Sequence, residues 1–334
     1  MYYLFSYDVL IMLTRFILFQ LPRDLLSFGA VGCAMFTRKL QSSKKIPLGL
    51  TPLEDVSQLS PLVLRILGQN PGAFTLQGTN TYLVGKGAKK ILIDAGEPNV
   101  SQYLNNLIDS LSKSSSTLEA IVVTHWHADH TGGIGQILRY LKKDIPIYKL
   151  RRTDGQPESN EFNFTFVEDG HELQVEGTTL RFLSTPGHTS DHTALCGDCV
   201  LGEGSAIFEN LDDYMKSLRK LLDLAPKRIY PGHGPVVEDP KQKILEYIEN
   251  RNRREQEILN VISNDGPATT MQITNSIYTN ILPSRRLGAL LNVRHHLVKL
   301  LAEGKIEDVG PSIGGLGFGL YVIADEKRKD KNKL

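Results

Sequence analysis

The chain of 334 residues has little cysteine and almost no net charge. Its 3 cysteines, Cys33, Cys196 and Cys199, are too few for a disulfide framework, which suits a reducing compartment. The stretch CGDC at residues 196–199 has no second C-x-x-C pair, so we interpret its thiols as buried rather than as zinc ligands. A formal net charge of +1 excludes a strong overall field for nucleic acid, so such a contact must come from a local patch.

The chain also lacks a hydrophobic run long enough to cross a membrane. The run LIMLTRFILFQL is interrupted by Arg15 and followed by Arg23 and Asp24, which leaves it short of about 20 apolar residues. We therefore predict no stable membrane insertion. In residues 1–46 bases outnumber acids, and the stretch FTRKLQSSKK near their end looks like the end of an organelle transit peptide, although Asp8 and Asp24 depart from its acid-poor composition. We interpret them as an N-terminal extension outside the fold, with Met35 as an alternative start.

A cluster of candidate metal ligands lies near the middle of the chain. Residues 124–130 read THWHADH, which places three histidines and an aspartate in seven positions. The β-branched run that ends at Val123 predicts a buried strand before the cluster, and apolar residues at helical spacing in 134–141 predict a helix after it. Neither element requires His-x-His-x-Asp-His in the loop between them. Because imidazoles and carboxylates are ligands for zinc and iron, the spacing favours a metal site.

Further polar residues follow other predicted strands. A strand at residues 180–183 and a short strand at 228–230 each run into a Pro-Gly turn that presents a histidine. Two aspartates lie in comparable places. One directly follows the predicted strand KKILI, and the other follows a glycine in GDCVLGEG. Because a metal site needs groups from separate elements, we expect these residues to converge. They are Asp94, His188, Asp198 and His233.

The ordered motifs ILIDAG, THWHADH, TPGHT, GDC and YPGHGP resemble the five motifs of the metallo-β-lactamase superfamily, between about residues 72 and 238. More narrowly, LQGTNTYLVG, THWHADHTGGIG, GDCVLGEG and YPGHGPV resemble the β-lactamase-like protein 2 family of mitochondrial endoribonucleases. The resemblance implies an α/β (α+β) fold, with an αββα sandwich at residues 47–239 and a winged-helix-like domain at 240–325. It implies a mitochondrial matrix location, with the cytoplasm as the alternative.

The resemblance also implies two zinc ions per chain, bridged by Asp198. Asp94 matches the aspartate of the first motif, which is expected to orient a ligand histidine. The residues implied for the first zinc are His125, His127 and His188. The residues implied for the second zinc are Asp129, His130 and His233.

The implied chemistry is hydrolysis. Two zinc ions about 3.5–4 Å apart lower the pKa of a shared water toward about 7 and so provide hydroxide as the nucleophile. Asp129 and Asp198 are the predicted catalytic residues. We predict a zinc-dependent endoribonuclease that hydrolyses phosphodiester bonds of single-stranded RNA by a dimetal-bound hydroxide. The alternatives are a glyoxalase-II-like thioesterase acting on acyl-glutathione and an RNA-binding isoform with impaired catalysis, while the oligomeric state stays open.

The C-terminal segment predicts three helices followed by a β-hairpin, which looks like a winged-helix module and matches the order in the resembling family. Five bases along it, the four named below and His295, suggest contacts with RNA phosphates, although ordinary solvated helix residues would give the same pattern. Residues 326–334 are predicted to be a disordered tail. The predicted RNA-binding residues are Arg285, Arg286, Arg294 and Lys299.

The connection from His188 to Asp198 departs from the family. SDHTALCGDC stands where the superfamily has a full hairpin, and even the tightest hairpin takes two loop residues plus both paired strands. We expect the HTAL strand to be lost and Asp198 to keep its place, because GDCVLGEG retains the rest of its motif. Asp191 and His192 have no assigned ligand role, and structural and ligand-orienting roles both stay open.

Overall fold

The computed structural model describes residues 49–194, 198–280, 286–310, 312–313, 316–317 and 319–324. The described residues fall into two compact units, which divide between Leu245 and Glu246. The predicted N-terminal extension at 1–46 and the predicted tail at 326–334 lie outside the described residues, and so do Cys196 and Arg285.

A sheet of seven strands forms the centre of the first unit. The strands are β1 (Val56–Ser60), β2 (Val63–Leu67), β3 (Asn80–Val84), β4 (Lys89–Ile93), β5 (Thr117–Val122), β6 (Ile147–Leu150) and β7 (Phe164–Val167). They lie in the sheet in chain order. The first four pair antiparallel, and β4 to β7 pair parallel. The carboxyl ends of β4 and β5 therefore meet at one edge of the sheet.

Helices cover one face of this sheet. The parallel pairs need crossovers, which contain α1 (Ser101–Lys113) between β4 and β5 and α3 (Ile134–Leu141) between β5 and β6. Both helices bury an apolar side, which contributes Leu107 and Ile137 to the core on that face. Between β5 and α3 lies α2 (Ala128–Thr131), a single turn. The predicted strand-to-helix loop thus contains helical backbone of its own.

The opposite face packs against the hairpin of β8 (Glu172–Val175) and β9 (Thr178–Arg181), with Phe182 in the core between them. The helix α4 (Leu211–Leu224) follows later in the chain and begins at the N-cap Asn210. The α/β architecture is confirmed, although the second sheet is reduced to this hairpin among the described residues. The predicted strand at 180–183 ends at Arg181. The predicted strand at 228–230 is wrong, because that segment makes only an isolated bridge.

The second unit has the order of elements expected of a winged helix. A three-stranded sheet packs with three helices around a core that includes Ile258, Ile273 and Val293. Within the described ranges, no helix is both long and apolar enough to span a membrane. The elements are α5 (Pro240–Asp265), which begins in the first unit, β10 (Ala268–Thr269), α6 (Thr270–Ile277), α7 (Arg286–Ala302), β11 (Ile306–Asp308), β12 (Ser312–Ile313), β13 (Leu316–Gly317) and β14 (Leu320–Ile323).

Candidate metal centre

All seven predicted ligands lie together at the edge where β4 and β5 end. They form three overlapping groups of side chains whose nitrogen and oxygen atoms lie within 4.8 Å of one another. Four of the five histidines are buried, as is Asp198, whereas Asp129 and His127 are partly exposed. The members of the groups are His125, His127, His188, His130, Asp198, Asp129 and His233.

The first ligand group consists of three imidazoles, those of His125, His127 and His188. Nε2 of His125 lies 2.8 Å from Nδ1 of His127, and Nε2 of His188 lies 3.2 Å from each of these nitrogens. Tetrahedral zinc with bonds of about 2.0–2.1 Å would set its nitrogen ligands about 3.3–3.4 Å apart. The separations are therefore close to those that a single bound ion requires.

The second ligand group consists of Asp129, His130 and His233. Oδ2 of Asp129 lies 3.1 Å from Nε2 of His130 and 3.3 Å from Nε2 of His233. Oδ2 of Asp198 lies 3.1 Å from the same nitrogen of His233 and 3.6 Å from that of His130. It also lies 3.7 Å from Nε2 of His188 in the first group. One carboxylate oxygen of Asp198 is thus within reach of both groups.

Hydrogen bonds fix the direction in which three of the imidazoles point. Nδ1 of His130 lies 2.7 Å from Oδ2 of Asp94, and Nδ1 of His188 lies 2.6 Å from the carbonyl of Ile207. Nδ1 of His125 lies 3.0 Å from Oγ1 of Thr124, whose own hydroxyl donates to Asp94. Because each Nδ1 faces an acceptor, it bears a proton, and Nε2 is the nitrogen directed into the cluster. Asp94 contacts the ligand histidine in the way that its motif implied.

Asp94 itself has an unusual backbone conformation. It directly follows β4 with a φ of 58°, in the left-handed region, and its side chain is buried. Its Oδ1 accepts the backbone N–H of Thr124 at 2.8 Å. The turn therefore holds the carboxylate against the start of the THWHADH loop, with Oδ2 left to accept from His130.

Charge differs between the two ligand groups. Burial lowers the pKa of His125 and His127 well below 6.5, and neighbouring imidazoles lower it further. Burial also disfavours the charged form of His130 and His233, but the surrounding aspartates outweigh it and raise the pKa of His233 to about 10. Burial likewise opposes the charge on Asp129, yet these two histidines hold its pKa well below 3.8. The second group therefore favours a positive charge at its centre.

The loop before β3 positions Asp129 in a way that the sequence interpretation missed. Oγ1 of Thr79 donates to Oδ2 of Asp129 at 2.9 Å, and Asn70 donates in turn to Thr79 at 3.0 Å. The next residue, Asn80, donates to the carbonyls of Pro231 and Gly234 and so holds the turn that presents the last ligand histidine. The motif LQGTNTYLVG contained this signal, because the polar run at residues 79–81 leads into an apolar strand, and buried polar residues need partners.

The short connection leaves Asp198 in the cluster, as expected. Thr193 makes only an isolated bridge with Ser184, so no HTAL strand forms among the described residues. Oδ2 of Asp191 pairs with the buried ammonium of Lys149 at 2.8 Å, and the same ammonium pairs with Glu158. Asp191 thus has a structural partner away from the ligands. His192 is fully buried and contacts the backbone of Asp198.

The donors fit a pair of divalent cations. Three ring nitrogens converge in the first group, at separations of 2.8–3.2 Å. Oδ1 of Asp198 is buried and has no hydrogen-bond partner in the described part of the chain. Buried polar atoms are normally satisfied, so this oxygen indicates a ligand in a metal site. The neutral imidazoles and the aspartates are a donor set that zinc accepts.

Family comparisons agree with this geometry. Residues 74–233 match the family described as the metallo-beta-lactamase superfamily, and residues 269–312 match the beta-lactamase associated winged helix domain. A protein named Beta-lactamase-like protein 2 homolog from Caenorhabditis elegans is 46% identical over 300 residues, which cover 85% of this chain and 99% of the relative. The chain belongs to the β-lactamase-like protein 2 family of the metallo-β-lactamase superfamily. Its Drosophila melanogaster relative of the same name is 43% identical, over 75% of this chain and 91% of that protein.

Other relatives differ in the activity that their names state. A protein from Cryptosporiopsis sp. named atrochrysone carboxyl ACP thioesterase is 34% identical over 77% of this chain and 85% of its own length. A beta-lactamase domain protein from Burkholderia ambifaria has a TM-score of 0.69 at 18% identity, covering 84% of this chain and 97% of that structure, and so supports the fold. The superfamily and the ligand groups identify a metal-dependent hydrolase, while the substrate needs a separate argument.

The predicted RNA-binding residues in the second unit differ in exposure. Arg286 is exposed and donates to Asn275 at 3.2 Å, whereas Arg294 is half-buried. The ammonium of Lys299 lies 2.6 Å from carboxylates of Glu255 and Glu303. Because two carboxylates already neutralise it, we drop Lys299 as a phosphate contact. Burial is the physical reason, since the side chain of Lys299 is only 10% exposed.

Proposed function

We propose that this chain is a zinc-dependent endoribonuclease that hydrolyses phosphodiester bonds in single-stranded RNA. The observation on which the proposal rests is the position of Asp198, whose Oδ2 lies within 3.7 Å of nitrogens from both ligand groups. Such an arrangement suits two metal ions that share a ligand. When bound, two zinc ions would supply an activated water and neutralise charge on a phosphoryl oxygen.

The residues of the chain have distinct parts in this proposal. The neutral imidazoles of His125, His127 and His188 would hold one ion, and Asp129 with two histidines would hold the other. Asp94 keeps His130 in the tautomer that leaves Nε2 free to bind. Thr79 donates to Oδ2 of Asp129 and so fixes that carboxylate within the second group.

Support for RNA comes from the second unit. The matched winged helix and the exposed guanidinium of Arg286 suit contact with a phosphate backbone. A thioesterase is the second candidate, because the relative from Cryptosporiopsis sp. is named for hydrolysis of an ACP thioester and spans most of the chain. The ligand groups serve either reaction, since a carbonyl oxygen and a phosphoryl oxygen both gain charge during hydrolysis.

The deciding experiment compares the two substrate classes on one purified preparation of the full chain with measured zinc content. We expect labelled single-stranded RNA to be cleaved internally, with S-lactoylglutathione and an acyl-ACP thioester turned over more slowly. Asp198→Asn serves as the control for contaminating nuclease. Faster turnover of either thioester than of any RNA would assign the thioesterase function instead.

We also propose that residues 1–46 direct the protein to the mitochondrial matrix. Their basic, hydroxylated end FTRKLQSSKK supports this proposal. A fluorescent protein fused after residue 46 should co-localise with a matrix marker. Diffuse fluorescence throughout the cytoplasm would favour the alternative location.

A further inference from the structure

His192 is a buried histidine that neither ligand group uses. Its side chain is fully buried, and its ring centroid lies 5.4 Å from that of His125. Nε2 of His192 lies 3.0 Å from the backbone nitrogen of Asp198, and Nδ1 lies 2.9 Å from Oγ1 of Thr185. The carbonyl of His192 accepts the N–H of Thr185 at 2.9 Å. One imidazole thus connects the backbone of Asp198 to the start of the TPGHT turn.

The direction of these hydrogen bonds fixes the tautomer of His192. A backbone N–H can only donate, so Nε2 must accept from Asp198 with its lone pair, and the ring proton lies on Nδ1. Nδ1–H then donates to Thr185. The lone pair of His192 is therefore occupied by the protein, whereas those of His125 and His188 are directed into the cluster. This difference separates His192 from the ligand histidines despite their proximity.

The short connection explains why Asp198 needs such a contact. Thr193 donates to the carbonyl of Thr124 at 3.0 Å and Ala194 donates to that of Leu183 at 2.8 Å, which anchors the chain before residue 195. No strand among the described residues leads from there to Asp198. The aspartate also has little room, because a Cβ added to Gly232 would lie 2.1 Å from its Oδ1.

We propose that His192 is a positioning residue for Asp198. The imidazole of His192 holds the backbone of this aspartate where the carboxylate reaches both ligand groups. The inference rests on the proposed two-metal site. Loss of the acceptor at Nε2 would leave the three imidazoles of the first group intact and release the shared carboxylate. The second metal should therefore be lost before the first.

Two substitutions distinguish the roles of the two ring nitrogens of His192. In His192→Gln, the side-chain oxygen can take the place of Nε2 and accept from Asp198, whereas His192→Asn reaches only as far as Nδ1. His171→Asn is the matched control, because His171 is exposed and directly precedes β8, outside both ligand groups. Zinc bound to the full chain would be measured by elemental analysis and by titration with a competing chelator.

We expect the unchanged protein, His171→Asn and His192→Gln to bind two zinc ions. His192→Asn should retain one ion tightly and bind the second about 10–100 times more weakly, as is usual when a group that orients a ligand is removed. Unaltered binding of both ions by His192→Asn would overturn the inference. Equal loss in His192→Gln and His192→Asn would also overturn it, because packing rather than the acceptor would then be responsible.

A measurement on the unchanged protein covers the case in which the variants do not fold. In zinc-loaded protein labelled with ¹⁵N-histidine, His192 should show an unprotonated Nε2 and a protonated Nδ1. A proton on Nε2 would overturn the inference. An unchanged protein that binds fewer than two zinc ions would overturn both proposals. If the unchanged protein binds two zinc ions and only His192→Asn loses the second, but the unchanged protein does not cleave RNA, the endoribonuclease function alone is overturned.

Discussion

The two ligand groups differ in whether their nitrogens hold protons before a metal arrives. In the first group, burial lowers the pKa of His125, His127 and His188, so the imidazoles are neutral. In the second group, Asp129 and Asp198 keep His130 and His233 charged, and the pKa of His233 rises to about 10. The first group is thus ready to donate lone pairs near pH 7, whereas the second must release protons.

This difference shows how neighbouring sites built from the same residue types can acquire different properties. A carboxylate beside an imidazole attracts a proton or a metal ion, and these compete for one lone pair. The second group should therefore respond to pH and to the loss of Asp198 more strongly than the first.

The largest expected effect is that of Asp198→Asn. Because Asp198 reaches both groups, its change should lower hydrolysis by more than about a hundredfold, which exceeds the usual cost of removing a group outside the ligands. His127→Gln, which changes the first group alone, provides the comparison for zinc content. Rates of hydrolysis within tenfold of the unchanged protein would contradict the role of Asp198 as the shared ligand.

The second prediction concerns the pH dependence of metal binding. His130 and His233 have pKa values raised above 6.5, so each proton released should add about one unit to the slope of log affinity against pH below those values. His125 and His127 have lowered values and are neutral above pH 6.5, so the first metal should show a flat profile there. Chelator competition across this range would measure both. Equal slopes of log affinity against pH for the two metals would contradict the difference between the two ligand groups.

Third, we expect RNA affinity to depend on the second unit rather than on either ligand group. Changing Arg285, Arg286 and Arg294 together to Ala should weaken RNA binding and reduce its salt slope by about 0.7 for each phosphate contact with a single strand. The zinc content should stay at two.

Lys299→Ala is the matched control, because the carboxylates of Glu255 and Glu303 already neutralise that ammonium. Its salt slope for RNA should match that of the unchanged protein. An intact RNA affinity and salt slope in the triple variant would exclude the winged helix as the contact surface.

The smallest expected effect comes from restoring a ten-residue hairpin between Leu195 and Cys196. The added pairing would cover the sheet edge beside the site and should raise the melting temperature by about 2–4 °C, which corresponds to about 1 kcal/mol for a domain of this size. Thermal unfolding of both proteins at equal zinc content would measure it. If the unchanged chain binds two zinc ions tightly and has the same melting temperature as the variant with the hairpin, the short connection does not lower the stability.

Strand-end patterns were sufficient to predict which residues would meet. Asp94 and the THWHADH loop follow β4 and β5, and parallel strands bring such ends to one edge of a sheet. The same patterns predicted a strand at 228–230 that the structure replaces with a single bridge. A three-residue segment has too few positions to show whether it pairs along its length or only once.

Other features of the site depend on contacts between distant residues. Thr79 lies 50 positions from Asp129, and no local pattern links the hydroxyl to that carboxylate. The role of His192 follows from the direction of one hydrogen bond, which the motif HTSDH does not encode. Lys299 resembled its basic neighbours in sequence, and only its burial beside two carboxylates distinguishes it from them.

The order of the ligands along the chain has a consequence for synthesis on the ribosome. The first group is complete once His188 has emerged, whereas the second needs His233, which is 45 positions later. At about 5–20 residues per second, the nascent chain spends about 2–9 s with only the three-imidazole group complete. In the proposed two-metal site, only the first group is therefore available to a metal ion during that interval of synthesis.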